Sequence, residues 1–247
     1  MRGAWLALVG TIVLAVAVIA FAPAAVLDRP LAARTADRLR LIEASGFWWK
    51  GRGAIATADG AARVPLAWRI EPASLARGAL AIRLVEDGGA TPIGTITVQR
   101  GDVVVRALHL WMPAALIGAF DPRLRYVALG GGVTVDAPSF TARGTAYSGT
   151  LDATWHDARV AVGDAVLSLG AVSLAAVPAA EGLTGTIGNT GGEVTIDGTL
   201  AGRAGALDAS LTLRPNATAS DAVRRVLPLI GAPDNAGAVR IVWRSDR

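Results

Sequence analysis

Cysteine is absent from this chain, histidine occurs only twice, and Lys50 is its one lysine. Without thiols the protein can form no disulfide, no cysteine metal site and no thiol-based catalytic centre. Two imidazoles, His109 and His156, are too few for a histidine-based metal cage. Basic and acidic residues number 24 and 20, and the arginines are scattered along the chain. Phosphate binding needs basic residues grouped on one face, so we expect no nucleic-acid partner.

Catalytic motifs are lacking as well. Most carboxylates, such as Asp152, fall at polar positions of alternating segments or in turns, where a solvated role is the ordinary one. Ser148 and Asp152 could form a Ser-His-Asp set with His156, but no nucleophile-elbow sequence surrounds the serine. The glycines at 130–132 lack the Lys-Ser/Thr of a phosphate loop. We predict no catalytic residue, cofactor or metal site, and a hydrolase centred on His156 is a distant alternative.

One long apolar run is present, because Ala4 to Leu27 contains 24 residues without a charge. As a helix it would extend about 36 Å, which is enough to cross a hydrocarbon core of about 30 Å. The competing interpretation is a cleaved signal peptide, since Ala20-Phe21-Ala22 and Ala22-Pro23-Ala24 resemble small-residue cleavage sites. The run is longer than a signal peptide requires, so we favour an uncleaved transmembrane helix.

The charges on the two sides of this anchor give conflicting indications of its orientation. Arg2 favours a cytoplasmic N-terminus, whereas Arg29 and Arg34 follow the run on the other side. Long domains translocate largely regardless of such charges, so we place the body outside the cytoplasm. The expected domains are an anchor at 1–27, a juxtamembrane helix or linker at 28–46 and a β-rich domain at 47–247. Leu31, Thr35, Leu39 and Ile42, spaced by four, four and three residues, predict that the helix runs from Asp28 to about Ser45.

Alternating apolar and polar residues dominate the rest of the chain. Residues 64–70, 193–200 and 207–213 each place apolar side chains at every second position, which is typical of strands with one buried face. Glycine-rich turns separate such segments at short intervals. We therefore predict a mainly β fold, an antiparallel meander that forms a curled sheet or a sandwich. Two short helices are expected, one from Pro113 to about Phe120 and one capped by Ser220.

Seven tryptophans provide the strongest candidates for an interaction surface. Trp68 continues an apolar strand face and is expected in the core. Trp48 and Trp49 are adjacent, so in a strand one of them must point outward. Together with Arg52 they form our candidate interaction surface, for a partner protein or a membrane. Alternation alone cannot separate a packed core from an apolar groove that holds lipid.

Several segments taken together, in their order and spacing, resemble protein N of the bacterial type II secretion system, the general secretion pathway protein N family. They are Gly46–Arg52, Pro65–Pro72 with Gly78–Leu80, Leu108–Ala114, Gly149–Trp155, and Leu227–Gly231 followed by Gly237–Ile241. The resemblance implies a non-enzymatic accessory component of protein secretion, held at the bacterial inner membrane with most of the chain in the periplasm. The family has no catalytic residues to carry over.

The partners implied by this resemblance are other type II secretion subunits. Addition of a strand to a sheet edge is the simplest physical mode of contact. The alternative is an AsmA-like envelope protein that binds or transfers lipid, since such proteins are similar anchored, glycine-punctuated sheets. An open apolar face would favour the lipid interpretation, and a closed core would count against it.

Overall fold

The computed structural model describes residues 21–88, 91–120, 124, 127–163, 165–203 and 206–244. They form one antiparallel sheet of 14 strands in which each strand pairs with its neighbours in sequence, apart from the short β8, which pairs with β7 alone. The strands are β1 (Leu39–Phe47), β2 (Lys50–Thr57), β3 (Arg63–Ile70), β4 (Ala79–Val85), β5 (Pro92–Gln99), β6 (Asp102–Pro113), β7 (Ala128–Arg143), β8 (Ala146–Gly149), β9 (Leu151–Val162), β10 (Ala165–Ala179), β11 (Gly182–Thr190), β12 (Val194–Arg203), β13 (Ala206–Pro215) and β14 (Val239–Arg244). The prediction of a mainly β antiparallel meander is confirmed, and the architecture is a single sheet.

Alternation in the sequence becomes alternation of burial in the strands. In β3, Val64, Trp68 and Ile70 are buried, while Arg63 and Arg69 between them are exposed. Successive strand residues point to opposite faces, so each apolar set lies on one side of the sheet. Trp68 lies in the core as expected, with 6% of its surface exposed.

Interruptions of the regular pairing bend the sheet. The register between β7 and β9 shifts at Gly131, which has a φ of +92°. A Cβ at this position would collide with the carbonyl oxygens of His156 and Asp157, so only glycine fits. Similar shifts occur in β1 after Ile42 and in β10 at Gly170. Such bulges increase strand twist and curvature, which lets one sheet wrap around two helices.

The described residues also contain four short helices: α1 (Asp28–Arg34), α2 (Pro72–Leu75), α3 (Ala114–Phe120) and α4 (Asp221–Ile230). Helix α3 packs against β6 and β7 and also reaches β1 and β2, so the first half of the sheet is curled around it. Helix α4 packs against β10, β13 and β14 in the second half. Both α3 and α4 lie where the sequence predicts them, and the Ser220 side chain accepts the Val223 N–H as the N-cap.

Two apolar cores result, one in each half of the sheet. The first consists of Leu39, Ala62, Val64 and Leu116. The second is larger and contains Ala158, Leu167, Leu169, Val194, Ile196, Val223, Val226, Leu227 and Val239. Each core is therefore built from the inner face of one half-sheet and the apolar side of one helix.

The predicted helix from Asp28 to Ser45 is wrong in its extent, because α1 ends at Arg34 and β1 begins at Leu39. Thr35 accounts for the stop: its hydroxyl donates to the Leu31 carbonyl at 2.9 Å and accepts the Leu39 N–H at 3.2 Å. Ala36 and Asp37 then take positive φ angles of 50° and 59°. Leu39 and Ile42 are regularly paired strand residues, opposite Thr57 and Ala54, and the bulge of β1 comes only after Ile42.

The predicted membrane anchor lies mainly at residues 1–20, outside the described residues. Its last seven residues are described, and they belong to the folded body: Ala24–Leu27 forms a 3₁₀ turn, and Ala24 is buried against β1. Over the described ranges, no helix has the length and apolar character needed to cross a bilayer.

Candidate functional site

The predicted surface residues Trp48 and Trp49 form the turn between β1 and β2. Both are half-buried, so neither projects freely from the turn. The Trp48 carbonyl accepts the indole N–H of Trp68 at 2.9 Å, and the Trp49 carbonyl accepts the Ile70 N–H at 2.6 Å. The turn is therefore held by its backbone on the end of β3.

An aromatic cluster forms at this turn from Phe21, Phe47 and Trp49. The rings of Phe47 and Trp49 are stacked, 6.0 Å apart and 6° from parallel. Phe21 meets Phe47 edge-on at 5.8 Å. Phe21 is 68% exposed and Phe47 is 37% exposed, so the aromatic cluster presents apolar surface to its surroundings.

Arg52 lies beside this cluster but does not join it. Its Nε donates to the Ser45 hydroxyl at 3.1 Å, across the β1–β2 pair. The structure therefore brings Trp49 together with two phenylalanines that the sequence did not single out. That this tip is an interaction surface stays a prediction.

A row of basic side chains crosses the sheet, beginning next to the aromatic cluster. Lys50 of β2 lies opposite Arg69 of β3, and Arg69 lies opposite Arg83 of β4. Arg83 faces Thr95 of β5, which in turn faces Arg106 of β6. Directly opposed residues share one face, so the four cations, here called the basic row, project to one side over about 19 Å. All four are exposed.

Few carboxylates balance the basic row. Arg83 bonds Glu71 at 3.3 Å. Within the described part of the chain, no acidic side chain lies at ion-pair distance from Lys50, Arg69 or Arg106. Like charges directly opposite each other in a sheet are destabilising. The sequence did not reveal this row because its members lie one per strand, and only the strand register brings them together.

The two outer edges of the sheet differ. The β1 edge is covered by the preceding segment: the Leu41 N–H donates to Asp28 Oδ1 at 2.8 Å, and the Trp48 N–H donates to the Ala22 carbonyl at 3.1 Å. At the other end, Pro233 forms a bridge only to Val239, at the start of β14. From Arg240 to Trp243 no strand of the described residues pairs with the outer side of β14.

An open groove of about 800 Å³ lies beside α3 and is lined by the β2–β3 turn, the start of β7 and the end of β9. Its walls are mostly small or apolar, including Ala115, Gly118 and Ala119 of α3, with Leu129 and Ala161 opposite. Arg38 and Asp59 lie at its border. The first core therefore does not fill all the space inside the curled sheet.

Asp28 and Glu193 have lowered pKa values, and both tie segments to the sheet. The hydrogen bond from the Arg40 guanidinium is the main cause that lowers the pKa of Asp28; burial opposes it, and the Leu41 N–H lowers the pKa further. The pKa of Glu193 is lowered mainly by the Ser220 N–H, which donates at 2.9 Å. These ion and hydrogen-bond contacts hold α1 against β1 and the start of α4 against β12.

The structure brings no catalytic set together in the described ranges. His109 Nδ1 lies 2.5 Å from Asp136 Oδ1, but both side chains are exposed strand residues on neighbouring strands. His156 pairs with Gly132 of β7, whereas Ser148 pairs with Thr141, nine residues further along that strand, so the imagined triad does not form. Among the described residues, no group of His, Asp and Glu is arranged to hold a metal ion.

These features define a curled β-sheet domain with three distinctive surfaces: the aromatic cluster, the basic row and the open edge of β14. Residues 37–242 match the model of the family described as type II secretion system (T2SS), protein N. The chain therefore belongs to that family, as its sequence resemblance indicated. The family is a structural component of the secretion system and is not known as an enzyme, and the components of this system are associated with the cell envelope. No curated protein and no solved structure is significantly similar to the chain.

Proposed function

We propose that this protein is a non-enzymatic accessory component of type II secretion, anchored in the inner membrane by its N-terminal run, with its β-domain in the periplasm. The observation that carries the proposal is the family match over residues 37–242, almost the whole sheet. The uncharged residues 3–20, which precede the folded body, support the anchor, since a run of this length can span a bilayer.

The open edge of β14 is the proposed contact with another secretion subunit. An unpaired strand edge offers a row of backbone donors and acceptors to which a partner strand can add. On this edge Val242 is 57% exposed between Arg240 and Arg244. The β1 edge cannot serve in the same way, because Asp28 and Ala22 already bind its backbone.

Deletion of the gene in its native host tests the proposed role. Secreted enzymes should accumulate in the periplasm and return to the medium when the gene is restored. Normal secretion in the deletion strain would contradict the proposal.

Two matched valines test the contact edge. Val242 lies on the open edge, whereas Val98 is 37% exposed on β5 and is paired on both sides, with Leu80 of β4 and Val103 of β6. Val242→Lys should reduce secretion, because a third cation on β14 opposes strand addition, while Val98→Lys should leave it near normal. Both should change the free energy of unfolding by less than about 0.5 kcal/mol. Equal secretion by the two variants would remove β14 as the contact.

The groove beside α3 favours a second candidate function, lipid binding in the manner of AsmA-like proteins. Its volume and small apolar walls suit an acyl chain better than a polar ligand. Lipid extracted from the purified full chain, identified by mass spectrometry, would support this candidate if Ala119→Phe, which fills the groove, removes it. A protein that purifies without lipid would count against it.

A further inference from the structure

We propose that the first half of the sheet lies against a bilayer surface that carries anionic phospholipid, with the basic row on the headgroups and the aromatic cluster at the interface. The inference rests on the proposed membrane anchoring, and it adds a defined face and a lipid class. The proposed surface is made from five strands, β2 to β6.

The basic row is the first reason for an anionic partner. Two successive pairs in it, Lys50 with Arg69 and Arg69 with Arg83, set like charges directly opposite each other. Such pairs lower the stability of an isolated sheet. An anionic surface removes this repulsion, because each Lys or Arg near such a membrane contributes a favourable interaction.

The aromatic cluster adjoins the first member of the row. Phe47 is the register partner of Lys50, so its ring projects from the same face, and Trp49 stacks on Phe47. Aromatic rings prefer the boundary between hydrocarbon and headgroups, next to cations that reach the phosphates. The tip thus combines both kinds of side chain that bind a bilayer interface.

The position of the cluster in the chain favours a bilayer over an acidic protein. The residues that precede Phe21 belong to the apolar run, which carries no charge from Gly3 onward. Phe21 itself contacts Phe47, and Pro23 pairs with the same residue. A segment long enough to span the membrane therefore ends within one residue of the aromatic cluster. An acidic protein partner would need neither this placement nor the exposed rings.

The absence of cysteine provides a clean test, since a single introduced thiol is the only one in the protein. Thr95→Cys places a label inside the basic row, and Thr212→Cys places one at a similarly half-exposed position on β13. Each variant of the full chain is labelled with an environment-sensitive fluorophore. The labelled proteins are placed in nanodiscs of phosphatidylcholine, alone or mixed with phosphatidylglycerol.

The label at position 95 should report a less polar environment only with phosphatidylglycerol, and high salt should reverse the change. Arg69→Gln combined with Arg83→Gln should weaken this docking about 30-fold, a factor of roughly five for each charge. The same charge loss at Arg224 and Arg225 of α4 should have no effect. The label at position 212 should not respond.

Several results would overturn the inference. They are an equal response in both lipid mixtures, no response in either, or no effect of the two row substitutions. Protection of position 95 by polyglutamate but not by phosphatidylglycerol would assign the row to an acidic protein instead.

Failure of the anchoring proposal is recognised separately. In that case alkaline carbonate would strip the full chain from liposomes. A chain that resists extraction but gives no lipid-dependent label response would refute only the docking surface.

Discussion

The two halves of the sheet are built alike and carry their charges differently. In both, an antiparallel meander curls around one short helix, α3 in the first half and α4 in the second. In the second half three arginines of neighbouring strands meet carboxylates: Arg203 bonds Glu181 at 2.9 Å, Arg214 lies 3.5 Å from Asp197, and Arg244 lies directly opposite Asp208. In the first half Arg69 lies between two other cations.

Paired charges and unpaired charges have different effects on a sheet: the former stabilise it, and the latter are available to a charged partner. Opposite charges across neighbouring strands stabilise a sheet slightly, and like charges destabilise it. Cross-strand ion pairs occupy Arg203, Arg214 and Arg244 in the second half, so these cations offer less attraction to an anion. The basic row of the first half leaves a positive potential over five strands.

The cores show the same division. Four of the five largest fully buried side chains belong to the second half: Leu227, Val194, Val223 and Val239. The first half contributes Leu39 alone to this group, and an open groove adjoins its helix. We infer that the second half is the more rigid support.

The largest expected effect comes from truncating matched leucines of the two helices. Leu227→Ala in α4 should lower the free energy of unfolding by about 4–5 kcal/mol, because its tight surroundings cannot collapse into the cavity. Leu116→Ala in α3 should cost about 2–3 kcal/mol, since the smaller core beside a groove relaxes more easily. Urea unfolding of the full chain in detergent measures both. A larger loss at Leu116 would reverse our view of which half is rigid.

A smaller effect is expected from acid, through one carboxylate in each half. Asp28 and Glu193 have lowered pKa values in the folded protein, so each contributes stability above its unfolded pKa of about 4 and loses it as the pH falls through the folded value. Asp28→Asn and Glu193→Gln should therefore be less stable than the parent at neutral pH and approach it below about pH 3. Urea midpoints across this range measure the effect.

Salt distinguishes the two carboxylates. Asp28 is bound by the charged Arg40, whereas Glu193 is bound by the uncharged Ser220 N–H. High salt should reduce the effect of Asp28→Asn more than that of Glu193→Gln. Equal salt sensitivity would show that the Arg40 charge adds nothing to the hydrogen bonds of Asp28.

The smallest effect is a difference in sign between arginines of the two halves. Arg69→Gln should raise the free energy of unfolding by a few tenths of a kcal/mol at low salt, because it relieves repulsion. Arg214→Gln should lower it by a similar amount, since Arg214 lies 3.5 Å from Asp197. Both changes should disappear at about 1 M salt. Effects of the same sign would mean that charge arrangement does not distinguish the halves.

Much of the fold could be predicted because the signals for most strands and helices lie within a few neighbouring residues. The alternation around Val64 and Trp68 and the serine cap before Val223 depend on neighbouring residues, and the structure confirms all of them. The helix predicted through Leu39 and Ile42 failed because apolar residues three apart also occur in a strand, on its opposite faces: Leu39 is fully buried and Ile42 is 36% exposed. In that segment the pairing with β2 overrides the local pattern.

The candidate surface could be predicted only in part. Trp48 and Trp49 stand out as adjacent tryptophans, but Phe21 joins them from more than 20 residues away. The basic row depends on register, which no single strand specifies. In the sequence the arginines are scattered at about one per strand and show no cluster. In a meander, the same spacing can align them on one face of the sheet.

The order of the strands also has a consequence for how the protein is made. Because each strand pairs with those made just before and after it, a growing chain can extend the sheet one hairpin at a time. No early strand waits for a distant partner, as it would in a fold closed by its two ends. Among the described strands β14 is made last, so the proposed docking edge forms only after the rest of the sheet is in place.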